Sequence, residues 1–124
     1  MIEINIQNDY NSHLSYNSDL IKNLISRIVS TRDFTSINLS IILTKNNYLS
    51  NLKKKYFNVN QFTDVIAFDL SDKNDCLEGE IYISIDDVRE NSKMYKQSFN
   101  REFKRVLIHG VLHLLGYKDK TKEE

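Results

Sequence analysis

Ile108-His109-Gly110-Val111-Leu112-His113-Leu114-Leu115-Gly116-Tyr117-Lys118-Asp119 is the stretch on which the reading of this chain turns. His109 and His113 are four residues apart. On an α-helix that spacing puts two imidazoles on one face, one turn of about 5.4 Å from each other, where they can converge on a single ion. Gly116 offers the left-handed backbone that ends a helix and turns the chain back. Asp119, three residues later, can bring a carboxylate to the same ion. Two nitrogens and one oxygen make a three-ligand zinc site with a position left open, which marks a catalytic metal rather than a closed structural one.

The register is specific. Counted from His109, the ligands fall at 0, 4 and 10, with the glycine at 7. The metzincin proteases share that layout. A zincin protease also carries Glu directly after the first His, as general base. Here that position is Gly110, which cannot take a proton. The expected metal geometry is present and the protease base is missing.

Working upstream, Ser98 is the expected cap of the helix bearing the histidines, which should run from about Phe99 to Leu115. Strict alternation makes Ile2 to Ile6 a first strand. Asn17 or Ser18 should cap a helix from Asp19 to about Ser30. Ile37 to Thr44 is a β-branched strand. Asn46 or Asn47 opens a second helix to about Tyr56. Asp64 to Leu70 and Glu80 to Ile85 read as further strands around a polar loop at 71–75, and Asp86 starts a short helix ending near Tyr95. On the last of these strands Ile81, Ile83 and Ile85 form the core side. Glu80, Tyr82 and Ser84 form a polar side, either solvated or one wall of the cleft. Strands and helices in this order predict an α+β domain: one small mixed sheet with helices packed on it and a zincin-like metal-binding helix at the C-terminal end.

Composition bounds the rest. The chain has 124 residues, suited to a single domain over 1–124 with a real core. The formal net charge is zero, so no global positive field draws nucleic acid, and any such contact must come from a local patch. The single cysteine, Cys76, excludes an internal disulfide and fits a reducing cytosol, so a cytoplasmic location is expected. No basic leader followed by an apolar run is visible, and no stretch approaches the ~20 apolar residues that span a membrane.

The run His109-Gly110-Val111-Leu112-His113-Leu114-Leu115-Gly116-Tyr117 resembles the pattern H-G-x-L-H-L-x-G-Y-D-H of the YbeY family of metal-dependent endoribonucleases. Thr63-Asp64-Val65-Ile66-Ala67-Phe68 is similar to that family's T-D-V-L-S-F, and Gly79-Glu80-Ile81-Tyr82-Ile83-Ser84 to its G-D-I-x-I-S. The blocks occur in the family's order, over roughly residues 50 to 120. The resemblance implies zinc-dependent cleavage of single-stranded RNA in ribosomal RNA maturation and ribosome quality control. It also implies one Zn²⁺ per chain, with ribosomal RNA and the ribosomal subunit as partners. Three departures matter. The family's third His is replaced by Asp119, itself a competent zinc ligand. The arginine that family members usually carry six residues before the T-D-V block is replaced by Phe57. The sequence ends at Glu124, five residues past Asp119, where the family often continues.

Arg105 lies one helical turn before His109 and is the candidate to hold a scissile phosphate; the bland alternative is a solvated helix charge. Arg101, a further turn back, reads as solvated. Lys53, Lys54 and Lys55 read as a solvated helix face, with contact to RNA backbone as the functional alternative, and Lys118, Lys120 and Lys122 flank the metal loop. His13 is expected to be an exposed loop histidine, Cys76 a bystander, and Thr63 and Asp64 positioning residues for the next strand. No catalytic base is identified. Two rival readings stand beside the nuclease. One is a metalloprotease, against which Gly110 argues. The other is a non-hydrolytic ribosome-assembly factor whose zinc is structural.

Overall fold

A computed structural model describes residues 2–57 and 63–116. The elements run β1 (Ile2–Asn8), α1 (Ser18–Val29), β2 (Ser36–Thr44), α2 (Asn46–Phe57), β3 (Val65–Asp69), β4 (Cys76–Ser84), α3 (Ile85–Met94) and α4 (Phe99–Leu114). The four strands form one sheet in the order β1-β2-β4-β3. β1 and β4 both pair parallel to β2, and β3 closes the edge antiparallel to β4. The α+β class and the single mixed sheet expected from the sequence are what the fold has.

The pairing pattern follows from the connections. Parallel neighbours need a crossover, and α1 supplies it between β1 and β2. A short loop suffices for the antiparallel step from β3 to β4. On β2, Ile37, Leu39, Ile41 and Leu43 alternate toward one face and are all buried. They meet Ile21, Ile25 and Val29 of α1 and Phe103, Val106, Leu107, Val111 and Leu114 of α4 in the main core. Ile42, Leu49 and Ile66 are buried outside that cluster, under α2 on the opposite face.

Helix starts follow capping chemistry. The Asn17 side chain accepts the backbone N–H of Leu20, Ser84 that of Asp87, and Ser98 that of Arg101. Of the boundaries that differ from the sequence reading, two have a clear physical cause. β4 begins at Cys76, not Glu80, because its ladder to β2 starts at the pair Ser36 and Cys76. Gly79 is a poor strand former, and it masked the continuity. Ile85 opens α3 instead of closing the strand, because the Ser84 hydroxyl already caps a helix.

Candidate metal centre at the sheet edge

α4 reaches the sheet closely because two glycines permit it. A Cβ on Gly110 would stand 2.9 Å from the Cγ2 methyls of both Ile81 and Val65. A Cβ on Gly79 would stand 2.7 Å from the carbonyl oxygen of Phe68 and 2.8 Å from Leu114 Cδ1. Position 110 therefore faces the sheet, and a glutamate there would have to enter the packed layer. The missing protease base has a packing reason.

With the apolar stripe of α4 on the sheet, the intervening stripe carries His109 and His113 outward. His109 is half-buried and His113 exposed. Their Nε2 atoms are 2.8 Å apart and their ring centroids 4.5 Å apart. At that separation one ring nitrogen can donate to the other, with the roles set by the tautomers. A tetrahedral ion with Zn–N bonds of ~2.0–2.1 Å spaces two ligand nitrogens about 3.3 Å apart. Modest side-chain rotation would thus open the pair to the spacing of two ligands on one ion, and two imidazole nitrogens suit a divalent transition metal. Among the described residues no three His, Cys, Asp or Glu side chains cluster as a metal site. Asp119, the expected third ligand, and Lys118, Lys120 and Lys122 lie outside the described residues.

The histidines open into a cleft of about 350 Å³ at the β3 edge. Lys53 and Phe57 from the end of α2 line one side of it, and Thr63, Asp64 and Val65 the other. A larger hollow of about 530 Å³ lies between residues 14–21 and the start of α4, away from the histidines. Volume does not mark chemistry here; converging donors do.

Arg105 is positioned by acids. Its Nε and Nη2 donate to Glu102, with Nη2 to Oε2 at 2.6 Å, and Nη2 also reaches Asp64 Oδ2 at 3.5 Å. Glu102 is buried, while the Arg105 side chain is 52 % exposed. The hydrogen bond from Arg105 holds the Glu102 carboxyl below its ordinary range, against the opposing effect of burial. Asp64 is a positioning residue, as expected: its carbonyl accepts the Ser84 N–H and its carboxylate accepts from Asn91. The Thr63 hydroxyl donates to the Val65 carbonyl. His13 is exposed in the loop after β1. The Cys76 thiol donates to Asp75.

The polar side of β4 is neither plain solvent face nor a wall of the histidine cleft. Ser84 is fully buried, and Tyr82 is half-buried among aromatic rings under α2. Rings from α2, β3 and β4 form a continuous patch there that sequence reasoning did not assemble. Its members come from three separate elements, and no sequence period links them.

Residues 3–124 match the family model described as Endoribonuclease YbeY. The Endoribonuclease YbeY of Karelsulcia muelleri is 44% identical over 122 residues, covering 98% of this chain and 84% of that protein. The Endoribonuclease YbeY of Flavobacterium psychrophilum is 43% identical over 99 residues, covering 80% of this chain and 70% of that protein. Among solved structures, the solution structure of TM1509 from Thermotoga maritima aligns with a TM-score of 0.58 at 28% identity, covering 100% of this chain and 79% of that one.

Proposed function

The chain belongs to the YbeY family, and from that premise we propose that it is a single-strand-specific, metal-dependent endoribonuclease of the cytoplasm. Its proposed setting is ribosomal RNA maturation and ribosome quality control, with ribosomal RNA and the ribosomal subunit as partners. The observation that carries the reading is the pair His109 and His113, converging at 2.8 Å beside a cleft that also holds Lys53. Relatives named Endoribonuclease YbeY support the choice of RNA.

In this proposal His109, His113 and Asp119 hold one zinc ion per chain on a zincin-like helix. When bound, the ion supplies a Lewis acid that polarises a phosphodiester oxygen. His109 and His113 contribute neutral nitrogen donors, and Asp119 a charged oxygen. Arg105 is the proposed phosphate ligand, one helical turn before His109, where a guanidinium can engage two phosphate oxygens. Glu102 keeps that guanidinium oriented and lowers its net attraction for anions. Gly110 has no proton acceptor to offer, which weighs against proteolysis.

The test is incubation of purified protein with unstructured RNA and with casein, each with and without a chelator. RNA cleavage that disappears with chelator and in His109→Ala is expected, with casein intact. RNA loss unaffected by His109→Ala would overturn the reading, and so would casein cleavage by the wild type. Metal retention without any RNA cleavage would favour the assembly-factor alternative.

A further inference from the structure

The patch of aromatic rings beside the cleft is built from five residues. Tyr48 lies 5.9 Å from Tyr82 and Tyr82 5.8 Å from Phe68, between ring centroids. Phe68 in turn backs the two rings that end α2: Phe57 stacks on it at 5.8 Å with an interplanar angle of 20°, and Tyr56 meets it edge-on at 5.4 Å. Tyr56 and Phe57 are 58% and 45% exposed. Rings this exposed, held in place from behind by a half-buried ring, offer large flat apolar faces at little conformational cost.

Two further observations say what the faces suit. Phe57 lines the same cleft as His109 and His113. Cations border the same rings: Lys53 Nζ lies 4.9 Å from the Phe57 ring centre and Lys55 Nζ 5.3 Å from that of Tyr56. α2 carries three consecutive lysines, Lys53 to Lys55, and no acid. The acid of the patch, Glu80, pairs across the strands with Phe68 and accepts the Tyr82 hydroxyl at 3.0 Å. Stacking rings flanked by cations on one side match unpaired bases joined by a phosphate backbone.

We propose that Phe57 and Tyr56, backed by Phe68, are a stacking platform for unpaired bases of single-stranded RNA, with Lys53 and Lys55 on its phosphates, and that it leads the strand into the histidine cleft. The platform rests on the endoribonuclease reading for its substrate and specifies how that substrate is held. An incoming base takes over the ring face and the lysine exchanges its ring contact for a phosphate. The exchange is favourable because base stacking exceeds an exposed cation–π contact. Recognition by stacking is tolerant of sequence, since every base has a flat face, and it excludes duplex RNA, whose bases are already stacked.

The test reads binding apart from cleavage. A labelled 2′-O-methyl oligouridylate and a base-free ribose-phosphate oligomer of equal length are titrated by fluorescence anisotropy, with a gel to show each probe intact. The wild type is expected to prefer the base-bearing probe. Phe57→Leu should weaken that probe alone, by about 5- to 150-fold, the ratio one stacked base supports. Tyr56→Leu should act in the same direction, and Phe57→Trp should restore affinity. Equal affinity of wild type and Phe57→Leu for the base-bearing probe would overturn the platform. A change in sedimentation of Phe57→Leu with RNA affinity unchanged would also overturn it and mark the patch as a protein contact. Failure of the wild type to cleave RNA would sink the nuclease reading alone, because neither probe needs to be cut.

Discussion

The Nε2 atoms of His109 and His113 stand 2.8 Å apart on the outward stripe of α4. Two donors this close on a rigid helix lose little freedom on sharing an ion. About one zinc per chain is therefore expected by elemental analysis, falling to near none in His109→Ala and in His113→Ala. Asp119→His should keep the metal, because it replaces one competent ligand by another. Equal metal in wild type and His113→Ala would remove the site.

Gly79→Ala should destabilise the fold by about 1–3 kcal/mol, the usual range for overpacking. Part of the clash is with a backbone atom, the Phe68 carbonyl oxygen at 2.7 Å, which no rotamer change relieves. Thermal unfolding should show a drop of several degrees for a domain of this size. Gly110→Ala should lose less, because Ala gains about 1 kcal/mol of helix propensity over Gly. A Gly79→Ala variant melting with the wild type would show that α4 does not press on β4 as described.

Arg105→Lys keeps the charge and removes the fork. Cleavage should fall, and the melting temperature should fall modestly as well, since buried Glu102 loses paired hydrogen bonds. The pH dependence has a definite sign. The Glu102 carboxyl is held below its ordinary range, so its contribution is complete above that range and is lost as pH falls through the depressed folded value. Glu102→Gln should flatten the acid limb of a stability curve. An unchanged acid limb would mean the pair adds nothing.

Tyr82 should stay protonated well past the range of an ordinary tyrosine. Burial first, and then its hydrogen bond to Glu80, push its hydroxyl up to about 12. A raised folded value favours the protonated fold, so this contribution is present below the ordinary tyrosine value of ~10 and lost as pH rises through about 12. Absorbance titration of tyrosinate should show a late-ionising component that shrinks in Tyr82→Phe, leaving the part from Tyr10, which its hydrogen bond to Asp86 also raises. An unchanged late component in that variant would assign the shift elsewhere.

Local rules made much of this protein readable in one dimension. Alternation along Ile37 to Leu43, the caps Asn17 and Ser98, and the four-residue spacing of His109 and His113 each act within a turn or a strand, so neighbours in sequence suffice to reveal them. The left-handed backbone expected at Gly116 is present, with φ at 97°. Contacts between distant segments needed the fold. Only the parallel ladder from Ser36 to Cys76 shows where β4 begins, and only the approach of α4 to Ile81 and Val65 gives Gly110 its reason. Likewise Phe57, Phe68 and Tyr82 lie on three elements and become one surface when β3 pairs with β4 beneath α2. Helix periodicity and capping are properties of adjacent residues, whereas packing distances and shared surfaces depend on which elements meet, and that is decided by burying the whole apolar core at once.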